Sequence, residues 1–191
     1  MNDIQKAAQV LRDGGIVIFP TDTAFGIGCR MDDPEAVKRL FALRKRDTSK
    51  ATPVLASDVD MFKPFIKPLD QDVIDSLVTP HWPGGLTIVV PCHTDNIPEL
   101  VRNGETLGIR VPDHDGIRAI IKEVGVPIIG SSANFAGNPT PFKQEDLDPE
   151  LLKLVDYVVP GQTHAKSAST VISVIEKPWK ILRQGAVQLK I

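Results

Sequence analysis

Ile16-Val17-Ile18-Phe19 runs into Pro20-Thr21-Asp22-Thr23-Ala24-Phe25-Gly26-Ile27-Gly28, and this junction decides how the chain is read. Four consecutive apolar residues stopped by a proline predict a short buried strand. The residues that follow are small and hydroxyl-bearing. A loop leaving a buried strand is where α/β proteins place their ligands, and Gly26 and Gly28 permit close backbone approach. A turn built of small residues fits the same stretch, so the loop alone does not decide between the two.

Upstream, Asp3 to Arg12 reads as a helix with Ile4, Ala7, Ala8 and Leu11 on one face, closed by Gly14-Gly15. Downstream, Asp33-Pro34 starts a second helix as N-cap and first turn. Its stripe is Val37, Leu40 and Phe41, and it ends in a basic cluster. A strand is expected at Pro53–Ala56, then short helices near Asp58–Phe65 and Asp70–Val78. Leu86–Val90 is a strand. Thr106–Val111 alternates, with Arg110 on its polar face. His114–Val124 is a helix closed by Gly125, and Val126–Gly130 leads into Ser131-Ser132-Ala133-Asn134. A helix at Pro149–Val155 and strands at Tyr157–Val159, Thr170–Ile175 and Lys180–Arg183 complete the chain. Interleaved strands and helices predict an α/β protein. So many strands in 191 residues favour a mixed, twisted sheet in a single domain over 1–191.

Bulk composition narrows the function. Net charge is −2, so any affinity for anions must come from a local patch rather than from the whole surface. No apolar run reaches the length of a membrane span, and the polar N-terminus lacks a signal-peptide core. Cys29 and Cys92 have no metal-ligand spacing; two lone thiols fit a reducing, cytoplasmic setting. There is no G-x-x-x-x-G-K-[ST], no G-x-G-x-x-G and no G-x-S-x-G.

The local patch is Lys38, Arg39, Arg44, Lys45, Arg46 and Lys50, with Asp47 the only acid among them. If the chain is extended there, Arg44 and Arg46 point the same way and grip one phosphate. Cations are also favoured at any helix C-terminus. Ser132 and Asn134 follow an apolar run and can hold phosphate oxygens or an adenine edge, although such residues also form turns. Thr87, in Trp82-Pro83-Gly84-Gly85-Leu86-Thr87, can line a pocket. Ser169-Thr170 opens a strand and Arg183 ends one.

Taken in order, these pieces resemble the YrdC/Sua5 family, the threonylcarbamoyl-AMP synthases, over roughly residues 4 to 187. Pro20–Cys29 resembles its P-T-[ED]-T-x-[YF]-G-[LI]-G-C signature, and Arg44-Lys45-Arg46 stands where the family has K-x-R. Pro83–Thr87, Gly108–Pro112, Ser132–Asn134, Ser169–Val171 and Leu182–Ala186 resemble its further motifs. The resemblance implies a YrdC/RibB-like fold, a twisted mixed sheet with flanking helices around a large, positively lined cavity. It also implies a reaction in which L-threonine, bicarbonate and ATP, with Mg²⁺ on the phosphates, give threonylcarbamoyladenylate and pyrophosphate. The product then serves t6A modification of adenosine 37 in tRNA, through downstream transferase proteins.

On this resemblance Arg44, Arg46 and Lys50 are catalytic. Arg46, Ser132, Asn134 and Arg183 bind ATP, and Thr23, Thr87, Arg110 and Ser169 bind threonine. No protein metal ligand is assigned. Arg44 in place of lysine and Asp47 in place of proline depart from the pattern, and Arg44→Lys is expected to be tolerated or to raise activity. An RNA-binding module and a carbamoyl-transfer paralog are the competing readings.

Overall fold

The computed structural model describes residues 1–45, 47, 52–165 and 167–189. Helix α1 (Asp3–Arg12) begins at a reciprocal cap: Asn2 accepts from the Gln5 backbone N–H, and the Gln5 side chain accepts from the Asn2 N–H. Its buried face is Ala7, Ala8 and Leu11, and Gly14 turns the chain at φ 79°. Strand β1 (Val17–Pro20) is fully buried. The apolar run stops being apolar at Pro20 but not being strand: Pro20 pairs with Phe25 across a hairpin to β2 (Phe25–Gly28). The hydroxyl-rich loop is thus a hairpin turn, Thr21 to Ala24.

Helix α2 (Pro34–Leu43) starts where Asp33 accepts from the N–H groups of Glu35 and Ala36. It buries Ala36, Val37, Leu40 and Phe41. Strand β3 (Val54–Leu55) follows. The expected helix at 58–65 is only a 3₁₀ turn, Asp60–Phe62, cut short by Pro64, which cannot continue a hydrogen-bonded helix. The next helical segment runs further than expected: α3 (Gln71–Val73), a π-bonded stretch Ile74–Val78, then α4 (Thr79–His81). Pro80 has no N–H to send to Ser76, and the wider bonding precedes it.

Strands β4 (Leu86–Pro91) and β5 (Thr106–Arg110) are an antiparallel pair. Helix α5 (Asp115–Val124) is capped by the His114 ring and closed by Gly125. Strands β6 (Ile128–Ile129) and β7 (Ser131–Ser132), helix α6 (Pro149–Leu152), and strands β8 (Tyr157–Val158), β9 (Thr170–Ser173) and β10 (Lys180–Arg183) complete the order.

The strands form two mixed sheets, β7-β2-β1-β8 and β10-β9-β4-β5-β3-β6. Their junction is the segment around Gly130: β6 pairs with β3 in one sheet, and β7 pairs with β2 in the other. The backbones meet closely here. A Cβ on Gly28 would lie 1.8 Å from the Ile129 carbonyl oxygen, so only glycine fits. Side chains of β1 alternate between two apolar clusters. Val17 and Phe19 pack with α1 and α5, and Ile16 and Ile18 face the larger core between the sheets. No helix among the described residues is long and apolar enough to cross a membrane.

Asp156 ties this layout together. Its carboxylate accepts from the Ile16 N–H at 2.7 Å and pairs with Arg39 of α2 at 2.9 Å. The Arg39 hydrogen bond, ahead of the Ile16 one, holds the Asp156 carboxyl below the usual carboxylate range. A depressed folded-state pKa adds stability above the unfolded value and loses it as pH falls through the folded one. Asp156→Asn is therefore expected to cost about 1–2 kcal/mol in urea titrations at pH 7, the low end for a charged hydrogen bond because the site is part-exposed. That difference should fade below about pH 4.

Both cysteines are free and buried. Burial pushes the Cys29 thiol up to about 12, and raises Cys92 for the same reason. Neither should be alkylated by iodoacetamide at pH 8 in the folded protein, and both should react in denaturant.

Candidate active site

The hairpin turn, the end of β5, the sheet junction and the start of β9 enclose a cleft of about 130 Å³. It is lined by Thr21, Thr23, Phe25, Arg110, Ser131, Ser132, Thr140, Ala168, Ser169 and Arg183, with apolar and glycine neighbours. Among the described residues its only charged lining groups are Arg110 and Arg183.

Arg110 sits at the closed end. Strand alternation assigns it to the polar face of β5, and that face is the cleft wall, so Arg110 is only 6% exposed. Three contacts fix its guanidinium. Nε donates to the Gly84 carbonyl at 2.9 Å, Nη1 donates to Thr23 Oγ1 at 2.9 Å, and Nη2 forms an ion pair with Asp22. Burial pulls the Arg110 pKa down, while the Asp22 charge opposes that shift. An arginine starting so high stays protonated at neutral pH. The turn is itself braced. Thr21 Oγ1 donates to the Ala24 carbonyl at 2.7 Å and accepts from the N–H groups of Thr23 and Ala24. The hydroxyls of Thr21 and Thr23 stand 3.1 Å apart.

Ser169 and Arg183 form another part of the wall. Arg183 donates from Nε and Nη2 to the Ser169 carbonyl at 3.0 and 2.8 Å, and from Nη2 to Ser169 Oγ at 2.9 Å. Thr87 does not line the cleft. Its hydroxyl lies 2.9 Å behind Ser169 Oγ and fixes that side chain from the next strand. Gly185 lets the closing segment wrap onto this wall, since a Cβ there would meet the Ala168 carbonyl oxygen at 2.2 Å. Thr170 Oγ1 then accepts from the N–H groups of Gly185 and Val187. The two closing motifs of the sequence are one unit.

Beyond Thr140 the cleft adjoins a wider groove of about 740 Å³ that includes Asn134 and Asn138. Ser132 Oγ donates to Asn134 Oδ1 at 2.6 Å, and the Asn134 amide donates to the Asn138 carbonyl. Arg44 anchors this loop. Its Nε donates to the Asn134 carbonyl at 3.0 Å and its Nη2 to Asn134 Oδ1 at 3.1 Å, and Nη2 also reaches Ser132 Oγ. Arg44 is 2% exposed and accepts at its own carbonyl from the Ala136 N–H.

The extended geometry that would align Arg44 with Arg46 is not formed. Arg44 ends α2 at φ −81°, ψ −2°, and Lys45 turns away at φ 51° with its ammonium over the Phe135 ring. Arg46 and Lys50 lie outside the described residues.

Thr23, Arg110, Ser132, Ser169 and Arg183 therefore share one cleft, with Thr87 and Arg44 directly behind it. Asp22 was given no role from sequence. Its signal was an acid between two threonines in a turn otherwise free of charge. Among the described residues there is no cluster of three His, Cys, Asp or Glu able to hold a metal.

A family model described as telomere recombination, Sua5/YciO/YrdC, matches residues 9–185. The chain is 34% identical over 189 residues to the threonylcarbamoyl-AMP synthase of Bacillus subtilis, covering 96% of this chain but 54% of that protein. It thus spans about half the length of that relative. It is 33% identical to the threonylcarbamoyl-AMP synthase of Xanthomonas axonopodis pv. citri, with 89% and 91% covered. Among solved structures, P. abyssi Sua5 complexed with L-threonine superposes at TM-score 0.90 and 28% identity, over 97% of this chain and 55% of that one. E. coli YciO shares the fold at TM-score 0.86 and 23% identity, with 97% and 90% covered. The motifs in order, the two mixed sheets and the match over nearly the whole chain agree: the chain belongs to the Sua5/YciO/YrdC family.

Proposed function

We propose that this chain joins L-threonine, bicarbonate and ATP into threonylcarbamoyladenylate, releasing pyrophosphate. The observation that carries the reading is the buried Arg110 at the closed end of a hydroxyl-lined cleft, beside the Ser132–Asn134 loop. Guanidinium N–H groups beyond those given to Gly84, Thr23 and Asp22 suit an amino-acid carboxylate. Thr23 and Ser169 offer hydroxyls to orient the rest of threonine, and Thr87 keeps Ser169 in place. The names of the relatives and the threonine complex of P. abyssi Sua5 support this choice of amino acid.

The reaction needs alignment and charge compensation more than covalent catalysis. A carbamate oxygen formed on the amine attacks the α-phosphorus. The bond from that phosphorus to the bridging oxygen breaks, and pyrophosphate leaves. Ser132 and Asn134 hold the nucleotide. Arg46 and Lys50 offset phosphate charge, with magnesium arriving as part of the MgATP substrate. Arg44 acts through the loop it braces and is a positioning residue. The adenylate is then consumed in t6A modification of tRNA by a downstream transferase.

The test is pyrophosphate release from MgATP with threonine and bicarbonate omitted in turn. Release that requires both supports the reading. Release that ignores either one overturns it.

A further inference from the structure

We propose that Thr52 is a positioning residue for the joining reaction: its hydroxyl, bonded to that of Ser131, sets the distance between the end of the cleft that takes the amino acid and the loop that takes the nucleotide. The inference rests on the proposed function and deepens it by naming what aligns its two substrates.

The joint between the sheets is built from the loosest residue available. A Cβ on Gly130 would lie 2.4 Å from Leu55 Cγ, so the packing of β3 demands glycine there. Glycine leaves the backbone free to swing. On one side of it β6 pairs with β3, and β3 lies beside β5 with Leu55 next to Arg110. On the other side β7 pairs with β2 and leads into the Ser132–Asn134 loop. Among the described residues, two bonds to the chain entering β3 brace this joint. The Gly130 N–H donates to the Pro53 carbonyl at 2.9 Å, and the hydroxyls of Thr52 and Ser131 stand 2.5 Å apart. Ser131 lines the cleft next to Ser132, whereas Thr52 does not. Thr52 therefore acts through Ser131.

Thr52 is 1% exposed and Ser131 6%. Among the described residues each hydroxyl has the other as its partner. Such a pair adds little to stability, because both hydroxyls leave water, and an apolar pair of the same shape would serve folding about as well. What the hydrogen bond adds is a fixed length and direction, which apolar surfaces sliding over each other lack. The amino-acid end is clamped separately, by the contacts of Arg110 with Asp22 and Thr23. The Thr52–Ser131 bond is thus placed to hold the nucleotide loop in register with that end, rather than to build either pocket. A carbamate oxygen and an α-phosphorus react only from near contact, and a misplacement of about 1 Å can cost about 100-fold.

The experiment compares Thr52→Val, Thr52→Ser, Ser131→Ala and the double variant Thr52→Val with Ser131→Ala, by steady-state pyrophosphate release and by urea titration. Thr52→Val keeps the shape of the side chain and removes its hydroxyl. It should lower kcat at least about 10-fold, while KM for threonine and KM for ATP stay within about 2-fold. Ser131→Ala should match it. Thr52→Ser, which keeps the hydroxyl, should stay near wild type. The double variant leaves no hydroxyl unpaired, so its urea midpoint should return toward that of the wild type while kcat stays low. It also carries the test should a single variant fail to fold. Wild-type kcat in Thr52→Val, recovery of kcat along with the midpoint in the double variant, a loss confined to KM, or an equal loss in Thr52→Ser overturns the inference and leaves the proposed function standing. Pyrophosphate release by the wild type that ignores threonine or bicarbonate removes both.

Discussion

Arg110→Gln is expected to lower kcat/KM for threonine by at least about 100-fold, the scale of a lost charge-assisted contact to a buried substrate group. The same change should cost stability, because it strands Asp22. The two side chains of the pair are 7% and 13% exposed. Removing one partner of a buried pair leaves an uncompensated charge and costs about 3 kcal/mol or more. These two effects can be separated. In Arg110→Gln combined with Asp22→Asn, no charge is stranded, so the urea midpoint should recover most of the loss. Turnover should not recover, since the guanidinium is still missing. If the double variant regains both, Arg110 is a structural residue and the threonine assignment fails.

The second large effect is expected at Arg44. Arg44→Ala removes a side chain that is 2% exposed and donates to the Asn134 carbonyl and to Asn134 Oδ1. A cavity and unsatisfied acceptors should together cost about 3 kcal/mol. ATP-dependent turnover should drop about 100-fold, as expected when a positioned donor set is lost. Arg44→Lys tests the shape of the group. A planar fork reaches a backbone carbonyl and a side-chain amide oxygen from two nitrogens, whereas an ammonium is a single point of donation. The geometry thus reverses the expectation from the motif alone that lysine would be tolerated or better. Lysine should lose about 10-fold in kcat/KM for ATP, with the larger part of the loss in KM. Wild-type turnover in Arg44→Lys would show that the loop holds itself.

The parts of the fold that declared themselves did so through local chemistry. Helices α1, α2 and α5 carry their own caps and apolar stripes, and β1 is an unbroken apolar run. Strand β2 was hidden because two of its four residues are glycines, which strands avoid. Gly28 is there because Ile129 from the other sheet comes too close for a side chain, a fact of tertiary packing with no local trace. The same holds for the site. Thr23, Arg110, Ser132, Ser169 and Arg183 could be named one by one from their motifs. That Asp22 neutralises Arg110 depends on bringing together residues 88 apart in the chain. The basic cluster misled in one respect. Spacing would align Arg44 with Arg46 only in an extended chain, and the helix end instead turns Arg44 inward beneath the Ser132–Asn134 loop, while Arg46 lies outside the described residues.

The junction at Gly130 sets how the cleft can move. Residues 128–132 serve both sheets at once, with Val54 paired to Ile129 on one side and Gly26 paired to Ser132 on the other. Spreading the sheets like jaws would have to bend the chain at Gly130, between two ladders that lie within five residues of each other, so the cleft is restrained in width there. Traffic must instead pass lengthwise. On the proposed function, the small substrates are expected to enter past the Arg183 rim and the bulkier nucleotide along the groove beyond Thr140.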